Sequence, residues 1–532
     1  MIKQQILEDL KNVIRDLGFT DSDIVVSISK NPVFGDYSTN VALQLAKLEG
    51  SKGKQSPTEI ANEILQNLGK PEYLEHAEIA GGGFINFFIK AESLTKNLKE
   101  ILDNKEAFGK SEVGQGKTAR VEFISANPTG PLHIGNARGG PLGDVAANVL
   151  ENSGYKVLRE YLDNNVGEQI KALGATIKAA YHGNLASKNQ YQGEYINDLV
   201  KELEDIENKS DSEVGQAAVA LMYEDIMADS HAMGIKFDLV VHESQLREGA
   251  AEVVDELKKE GVVKEKDGAL WLAPNDEFLK DRETVIQKSD GNYTYFTSDI
   301  VYHKQKFASG ADLIINIWGS NHHGHIPRIQ AAIQALGFDP QKLKVVLYQY
   351  VRVKKGDEVV KMSKRAGNFI TAREVLDEVG VDAFRFYLLR FSPQTHMDFD
   401  VELLKQQSNK NPVYYVQYAH ARMTNILLKS KNLNLEGVDY TRLVHPSELD
   451  LIKYLISFPD LTQEIMVNLQ VHQLTEYAIG LADLFHKFYE NCPVLQAENE
   501  QLIQARLVLV YASKITLANT LKLLGVSAPE RM

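Results

Sequence analysis

The segment Ser125–Gly140, SANPTGPLHIGNARGG, sets two prolines, glycines at 130 and 135 and a histidine at 133 between stretches that are apolar on either side. Prolines and glycines so spaced mark a tight turn. Before it, ARVEFIS (119–125) is short and rich in β-formers, which predicts a buried parallel strand. After it, ARGGPLGDVAANVLENSG predicts a helix stopped at Gly154, and YKVLREYLD (155–163) the next strand. Strand, turn, helix, strand is one unit of a doubly wound, Rossmann-like parallel sheet, so the chain is α/β in class. Ligands of such sheets bind beyond the carboxyl ends of the strands, where helix N-termini offer N–H groups to anions. The turn 127–136 lies at such an end. Gly130 and Gly135 permit close approach, while His133 and Asn136 can donate hydrogen bonds to phosphate oxygens.

At 532 residues the chain exceeds what one core supports, and several domains are expected. Residues 1–110 read as an α/β module: an amphipathic helix at the start, then DIVVSIS and GFINFFI as short strands. FGKSEVGQGKTA (108–119) is polar and glycine-rich, as a linker would be. Residues 111–165 read as the first half of the doubly wound, Rossmann-like domain. The stretch 166–284 is mostly helical in pattern and is taken as a connective insertion. DLIINIWGS (312–320) and KVVLYQYVRV (344–353) restore β-character, so 285–394 is the second half. From 395 to 532 the pattern is long amphipathic helices, an all-α bundle. Cys492 is the only cysteine, which rules out internal disulfides and thiolate zinc sites and fits a reducing cytoplasm. The start carries acidic residues rather than a signal-peptide core, and no apolar run reaches the roughly 20 residues of a membrane helix. A cytoplasmic protein with no membrane partner is expected. The formal charge of −14 argues against unspecific nucleic-acid binding but allows a local basic track.

VVKMSKRAGNFIT (359–371) follows a β-like run and gathers Lys361, Lys364 and Arg365 around Met362 and Ser363, with glycines at 356 and 367. Three cations within five residues suit closure over a triphosphate. HIGN early and KMSKR late, on the two halves of a split sheet, resemble the HIGH and KMSKS signatures of class I aminoacyl-tRNA synthetases. The resemblance implies that both motifs hold ATP, carried with Mg²⁺, and stabilise charge at its α-phosphate. It implies catalytic roles for His133, Lys361 and Lys364, and ATP contacts at Pro128, Gly130, His133, Gly135, Asn136, Met362, Ser363 and Lys364. Asn136 in place of the second histidine removes a group that could move a proton, and Arg365 replaces the final serine.

VEFISANPTGPLHIGNARG, YFTSDIVYHKQKF (295–307), WGSNHHGHIPRI (318–329), VDAFRFYLLR (381–390), YVQYAHARMTNIL (415–427) and the terminal LLGVSAPERM narrow the resemblance to the arginyl-tRNA synthetase family. By that resemblance Ser125 and Asn127 meet the α-amino and carboxylate end of L-arginine, and Glu122, Tyr295 and Asp299 surround its guanidinium. A guanidinium carries five donors in a planar fork and wants carboxylates, which Glu122 and Asp299 supply. Taken alone, Glu122 also reads as an edge-strand acid facing water and Asp299 as a helix N-cap. NHHGH (321–325) has no carboxylate at ligand spacing, so no structural metal is expected there. It is expected to face the adenosine and the arginine. Which of Asn321, His322 and His325 meets which is open, with His322 set on the arginine side and His325 on the ATP side. The C-terminal bundle is expected to bind tRNA(Arg) at its anticodon arm. Its helix NPVYYVQYAHARMTNILLKSK offers Tyr414, Tyr418, His420 and Arg422 for stacking and phosphate contact and Lys429 and Lys431 for charge, Tyr418 and Arg422 foremost. The N-terminal module is expected at the outer corner of the tRNA and the insertion at its acceptor end. The chain is expected to act as a monomer.

Overall fold

Alternation of side chains along the strands decides which faces of the central sheet are apolar. In a computed structural model describing residues 2–19, 24–29, 32–47, 55–184, 191–274, 277–279, 283–355, 358–359, 370–430 and 433–532, five parallel strands form that sheet. They are Thr118–Glu122, Lys156–Asp163, Leu239–His242, Leu313–Gly319 and Leu343–Tyr348. The spatial order is 343–348, 313–319, 118–122, 156–163, 239–242. The chain therefore runs outward one way from Thr118–Glu122 and then returns on its other side, which puts the topological switch between strands 118–122 and 313–319. That is the crevice where doubly wound sheets bind ligands.

Ala119, Val121, Phe123, Ile315 and Ile317 point to the face covered by the helix Gly139–Asn152. Ile314 points to the opposite face, with helices Tyr295–Ala308 and Ile326–Ala335. Both faces are covered, as a parallel sheet requires. The two-residue period then sends Arg120, Glu122 and Asn316 toward the helix Tyr295–Ala308, with Glu122 directly beside Asn316 in the pairing register.

The stretch read as an insertion, 166–284, gives Leu239–His242 to the sheet as an edge strand. The rest holds helices Glu168–Tyr181, Glu194–Glu202 and Asp211–Ala232 and two strands of a small antiparallel sheet, Val263–Lys266 and Ala269–Leu272, completed by Thr284–Gln287. KVVLYQYVRV is two strands: Leu343–Tyr348 ends the main sheet, and Val351–Lys355 pairs instead with Glu358–Val359 and Met397–Asp400. The N-terminal module is a four-stranded antiparallel sheet under helices Ile2–Asp16 and Pro57–Leu68. The glycine-rich 108–119 stretch is pinned rather than free, because Gly109 O accepts from Asn152 Nδ2 (2.6 Å) and Thr462 Oγ1 (3.0 Å) and Asn519 Nδ2 donates to Phe108 O (3.0 Å).

Among the bundle helices, Glu500–Leu524 is long and apolar enough to cross a membrane by length and composition, unlike any run foreseen above. It is largely buried within the bundle, packing against helices Pro412–Lys429 and Gln473–Asn491, which is the condition of a core helix. Arg385 locks its end to the helix Gly139–Asn152 that covers the central sheet. That fully buried guanidinium donates to Leu524 O (3.0 Å), Met233 O (2.9 Å) and Asp144 Oδ2 (2.5 Å). One side chain thus ties the bundle, the helix region 211–232 and the helix Gly139–Asn152 together.

Candidate active site

The strand Thr118–Glu122 ends in a strained corner. Ile124 and Ser125 have φ of 66° and 40°, the left-handed region, which a β-branched residue enters only when its surroundings compel it. Here the corner is held by Tyr161 Oη donating to Ala126 O (2.9 Å) and by Leu162 N–H donating to Ser125 Oγ (3.1 Å). The bend places Ser125 and Asn127 beyond the sheet. Asn127 accepts from Asn164 Nδ2 (3.0 Å) and donates to Gln169 Oε1 (3.2 Å), so its amide is oriented from both sides. Pro128 is buried, and Tyr195 donates to Thr129 O (3.0 Å) while its phenol lies against Gly130.

His133 is the N-cap of the short helix Ile134–Ala137, its Nδ1 accepting from Asn136 N–H at 3.2 Å. Nδ1 as acceptor fixes Nε2 as the protonated nitrogen, the donor the sequence asks for. A side chain at Gly135 would press on this ring at 2.9 Å, so the glycine lets the imidazole fold over the helix start. Lys361, Met362, Ser363, Lys364 and Arg365 lie outside the described residues. The segment after them is bound to the HIGN turn: His133 bridges Thr371, Ala372 N–H donates to Leu132 O (2.7 Å), and Thr371 with Glu374 forms a capping box.

The residues expected around a guanidinium are built on the helix Tyr295–Ala308, whose N-cap is Thr294. Asp299 is therefore not a cap, and Glu122 is not an edge acid, since it is 3% exposed on an inner strand. Asp299 Oδ2 meets His325 Nε2 at 2.8 Å. Glu122 Oε2 accepts from the Lys306 ammonium at 2.7 Å, and Lys306 donates also to Asn316 Oδ1 at 2.9 Å. Asn316 Nδ2 lies 2.8 Å from His303 Nε2, and His303 Nδ1 lies 2.7 Å from Asp299 O. A carbonyl only accepts, so Nδ1 carries the proton and the chain runs unbroken from Glu122 to Asp299. Burial, aided by the Lys306 charge, pushes the His303 imidazole down to about 4, so it is neutral at pH 7. Burial pushes the Glu122 carboxyl upward, but the charge and hydrogen bond of Lys306, with His303 and Ser125, outweigh it and hold Glu122 below the usual carboxylate range.

Tyr295 is half exposed, and its phenol lies over Gly167, where a Cβ would come within 1.5 Å of the oxygen. His322 is exposed at the mouth beside Trp318 and His325.

Sequence reasoning missed two members of this site. Lys306 stands seven residues after Asp299, hence on the same helix face, a spacing visible in DIVYHKQK. Glu243 follows the strand Leu239–His242 at another carboxyl end of the sheet. It is 3% exposed, and Ser298 is the side chain placed to hydrogen-bond its carboxyl. Burial, opposed by Arg247 and reinforced by Asp299, raises its carboxyl to about 7. The next strand end adds Asp163, whose Oδ2 meets His242 Nδ1 at 2.8 Å. Two neighbouring strand ends thus bring Glu243 within electrostatic reach of Asp163, Asp299 and Tyr295, a field that draws a cation. Among the described residues no three His, Cys, Asp or Glu side chains are placed to hold a metal ion.

On the bundle, Tyr418 is exposed and stacks with Tyr414 and His486, and Arg422 lies 4.4 Å from the Tyr489 ring centroid. His420 departs from expectation. It is 2% exposed with Nδ1 2.8 Å from Pro529 O, so the C-terminal tail covers it and it packs rather than reaching phosphate. Lys431 lies outside the described residues.

Three family models match the chain: an arginyl tRNA synthetase N-terminal domain over 1–89, a class I (R) tRNA synthetase catalytic domain over 97–387, and a DALR anticodon-binding domain over 416–532. The arginine–tRNA ligase of Bacillus pumilus is 39% identical, the match covering 100% of this chain and 99% of that one. That of Oceanobacillus iheyensis is 41% identical over 96% and 94%. The solved arginyl-tRNA synthetase of Thermus thermophilus shares the fold, with a TM-score of 0.82 at 24% identity and full coverage of both chains.

Proposed function

The chain belongs to the arginyl-tRNA synthetase family of class I synthetases, and from that premise we propose how its own residues join L-arginine to tRNA(Arg). The arginine carboxylate attacks the α-phosphorus of ATP in line; a carboxyl–phosphorus bond forms, the bond to the β-phosphate bridge breaks, and pyrophosphate leaves. A terminal ribose hydroxyl of the tRNA then attacks the carbonyl carbon of arginyl-adenylate and AMP departs. No covalent enzyme intermediate is needed, so the protein contributes positioning and charge stabilisation.

The observation that carries the arginine assignment is the run of partnered groups from Glu122 through Lys306, Asn316 and His303 to Asp299. It ends on the backbone carbonyl of Asp299, and the carboxylates of Glu122 and Asp299 both act on His303 and on His322, which supports reading them as two acids at one crevice. Glu122, Tyr295 and Asp299 grip the guanidinium, with His322 at the mouth, and Glu243 deepens the negative field. Ser125 and Asn127 hold the α-amino and carboxylate end. ATP, arriving with Mg²⁺, lies along Pro128, Gly130, Gly135 and Asn136, with His325 toward the nucleoside. His133 donates from Nε2 to its phosphates. Lys361 and Lys364, with Met362 and Ser363, are assigned to the same phosphates by the family signature, and the Thr371–Ala372 segment that follows them in the chain is bound to the HIGN turn. Lysine as a substrate would leave carboxylate acceptors unpaired, and a hydrogen-bonding pocket of this sort discriminates by ~10⁴–10⁵ without editing. Tyr418 and Arg422 read the tRNA from the bundle. The one cysteine, Cys492, is free and buried, which suits work in a reducing cytoplasm.

Exchange of labelled pyrophosphate into ATP, run with each amino acid in the presence and in the absence of tRNA(Arg), tests this. Exchange with arginine alone, and only with tRNA bound, is expected. Exchange with cysteine or lysine in its place refutes the assignment.

A further inference from the structure

Lys306 is a fully buried lysine in the floor of a pocket assigned to a cation. Its ammonium has three donors and no acceptor. Two are spent on Glu122 Oε2 and Asn316 Oδ1, and it also lies 4.0 Å from the centroid of the Tyr302 ring. It therefore has nothing to offer a guanidinium directly. Among the described residues its only ion-pair partner is Glu122, the carboxylate assigned to the substrate.

We propose that Lys306 is a positioning residue for arginine: a resident cation that ties down one oxygen of Glu122, keeps that carboxylate ionised in the empty pocket, and so presents its other oxygen as an acceptor. The proposal rests on the arginine pocket described above. A carboxylate as deeply buried as Glu122 takes up a proton at neutral pH unless a cation stands against it. Protonated, it becomes a donor, and a guanidinium, which has only donors, loses its partner.

The other groups facing Glu122 do not fill the role. His303 and Tyr302 approach from the same helix, Asn316 from the neighbouring strand, Ser125 from the strained corner and His322 from the mouth. His303 is neutral, and His322 is lowered by desolvation and by His325. Arg120, on the same strand, is taken by Glu160, which also accepts from Tyr302 Oη at 3.0 Å. Asp299, by contrast, is 29% exposed and has His325 as its partner, so it does not depend on a lysine.

The test is arginine-dependent pyrophosphate exchange with tRNA(Arg), measured between about pH 6 and 8.5 for wild type, Lys306→Met, Glu122→Gln and the double variant. Lys306→Met is expected to raise the KM for arginine on the order of 30-fold at the acid end, as for truncation of one member of a buried charge pair. The KM recovers as pH rises and Glu122 ionises, while the KM for ATP stays put. Adding Lys306→Met to Glu122→Gln is expected to leave the arginine KM where Glu122→Gln alone put it. A pH-independent arginine KM in Lys306→Met, a parallel rise in the ATP KM, or multiplying effects in the double variant overturns the proposal. If Lys306→Met does not fold, the double variant, which buries no lone charge, decides by the same comparison with Glu122→Gln. An unchanged arginine KM in Glu122→Gln itself would sink the pocket assignment rather than the role of Lys306.

Discussion

Replacing Asp299 by Asn exchanges a carboxylate for a neutral amide of nearly the same shape, and the structure sets how large the consequences are. Thr294 caps the helix, and the first turn of Tyr295–Ala308 contains no acid, so position 299 carries no cap and only a remnant of the dipole interaction. The local cost is about 0.5 kcal/mol. Loss of the His325 contact at 2.8 Å adds little, because an amide oxygen also accepts. The guanidinium contact is different. Removing one charge from a buried, hydrogen-bonded pair costs about 2–5 kcal/mol. Asp299 is 29% exposed, which places it in the lower half of that range. At ~1.4 kcal/mol per tenfold, kcat/KM for arginine falls about 30- to 300-fold. The assay is pyrophosphate exchange with tRNA(Arg) at varied arginine and varied ATP. The arginine KM should carry the loss and the ATP KM should hold. Equal loss toward both substrates, with a lowered melting temperature, would make Asp299 a structural acid and refute the reasoning.

Gly167→Ala forces a Cβ into the Tyr295 phenol at φ 114° and should cost about 2 kcal/mol while raising the arginine KM; an unaltered KM would remove Tyr295 from the pocket. Glu243 should make stability fall with rising pH. Its folded carboxyl titrates at about 7, against 4.5 for an unperturbed glutamate, so the folded state holds the proton longer. The benefit is complete below about pH 4.5, declines through pH 7 and is then gone, an effect of about 3 kcal/mol. Glu243→Gln should flatten that decline, which melting temperatures of both proteins from about pH 4.5 to 8 would check; parallel curves would contradict it. Arg385→Met removes the donor shared by Leu524 O, Met233 O and Asp144. It should destabilise by about 3 kcal/mol, read as an earlier denaturation midpoint, while an unmoved midpoint would show that the three regions hold together without it.

The parallel unit was legible because its signals are local: the β-rich run, the Pro/Gly turn and the glycine stop need no distant partner. The HIGN turn was legible for the same reason, since His133, Gly135 and Asn136 sit within one turn. Lys306 was not, because nothing in its neighbourhood says that a lysine is buried; only the pairing of Glu122 with Asn316 puts a carboxylate over it. Glu243 was hidden by the reading of 166–284 as a helical insertion, which concealed that Leu239–His242 returns to the sheet. Strands of four residues carry too little periodicity to stand out between helices. His420 misled for the opposite reason. Its helix position suggested a contact surface, and only the C-terminal tail, at Pro529, covers it.

The central claim is a matter of geometry: Glu122 and Asp299 together hold one guanidinium beside the nucleotide. A crystal structure of the protein with L-arginine and a non-hydrolysable ATP analogue measures it most directly. The account predicts guanidinium nitrogens at about 3 Å from carboxylate oxygens of both residues, with Lys306 still on Glu122. A guanidinium turned toward solvent, or held by carboxylates other than these two, would contradict it.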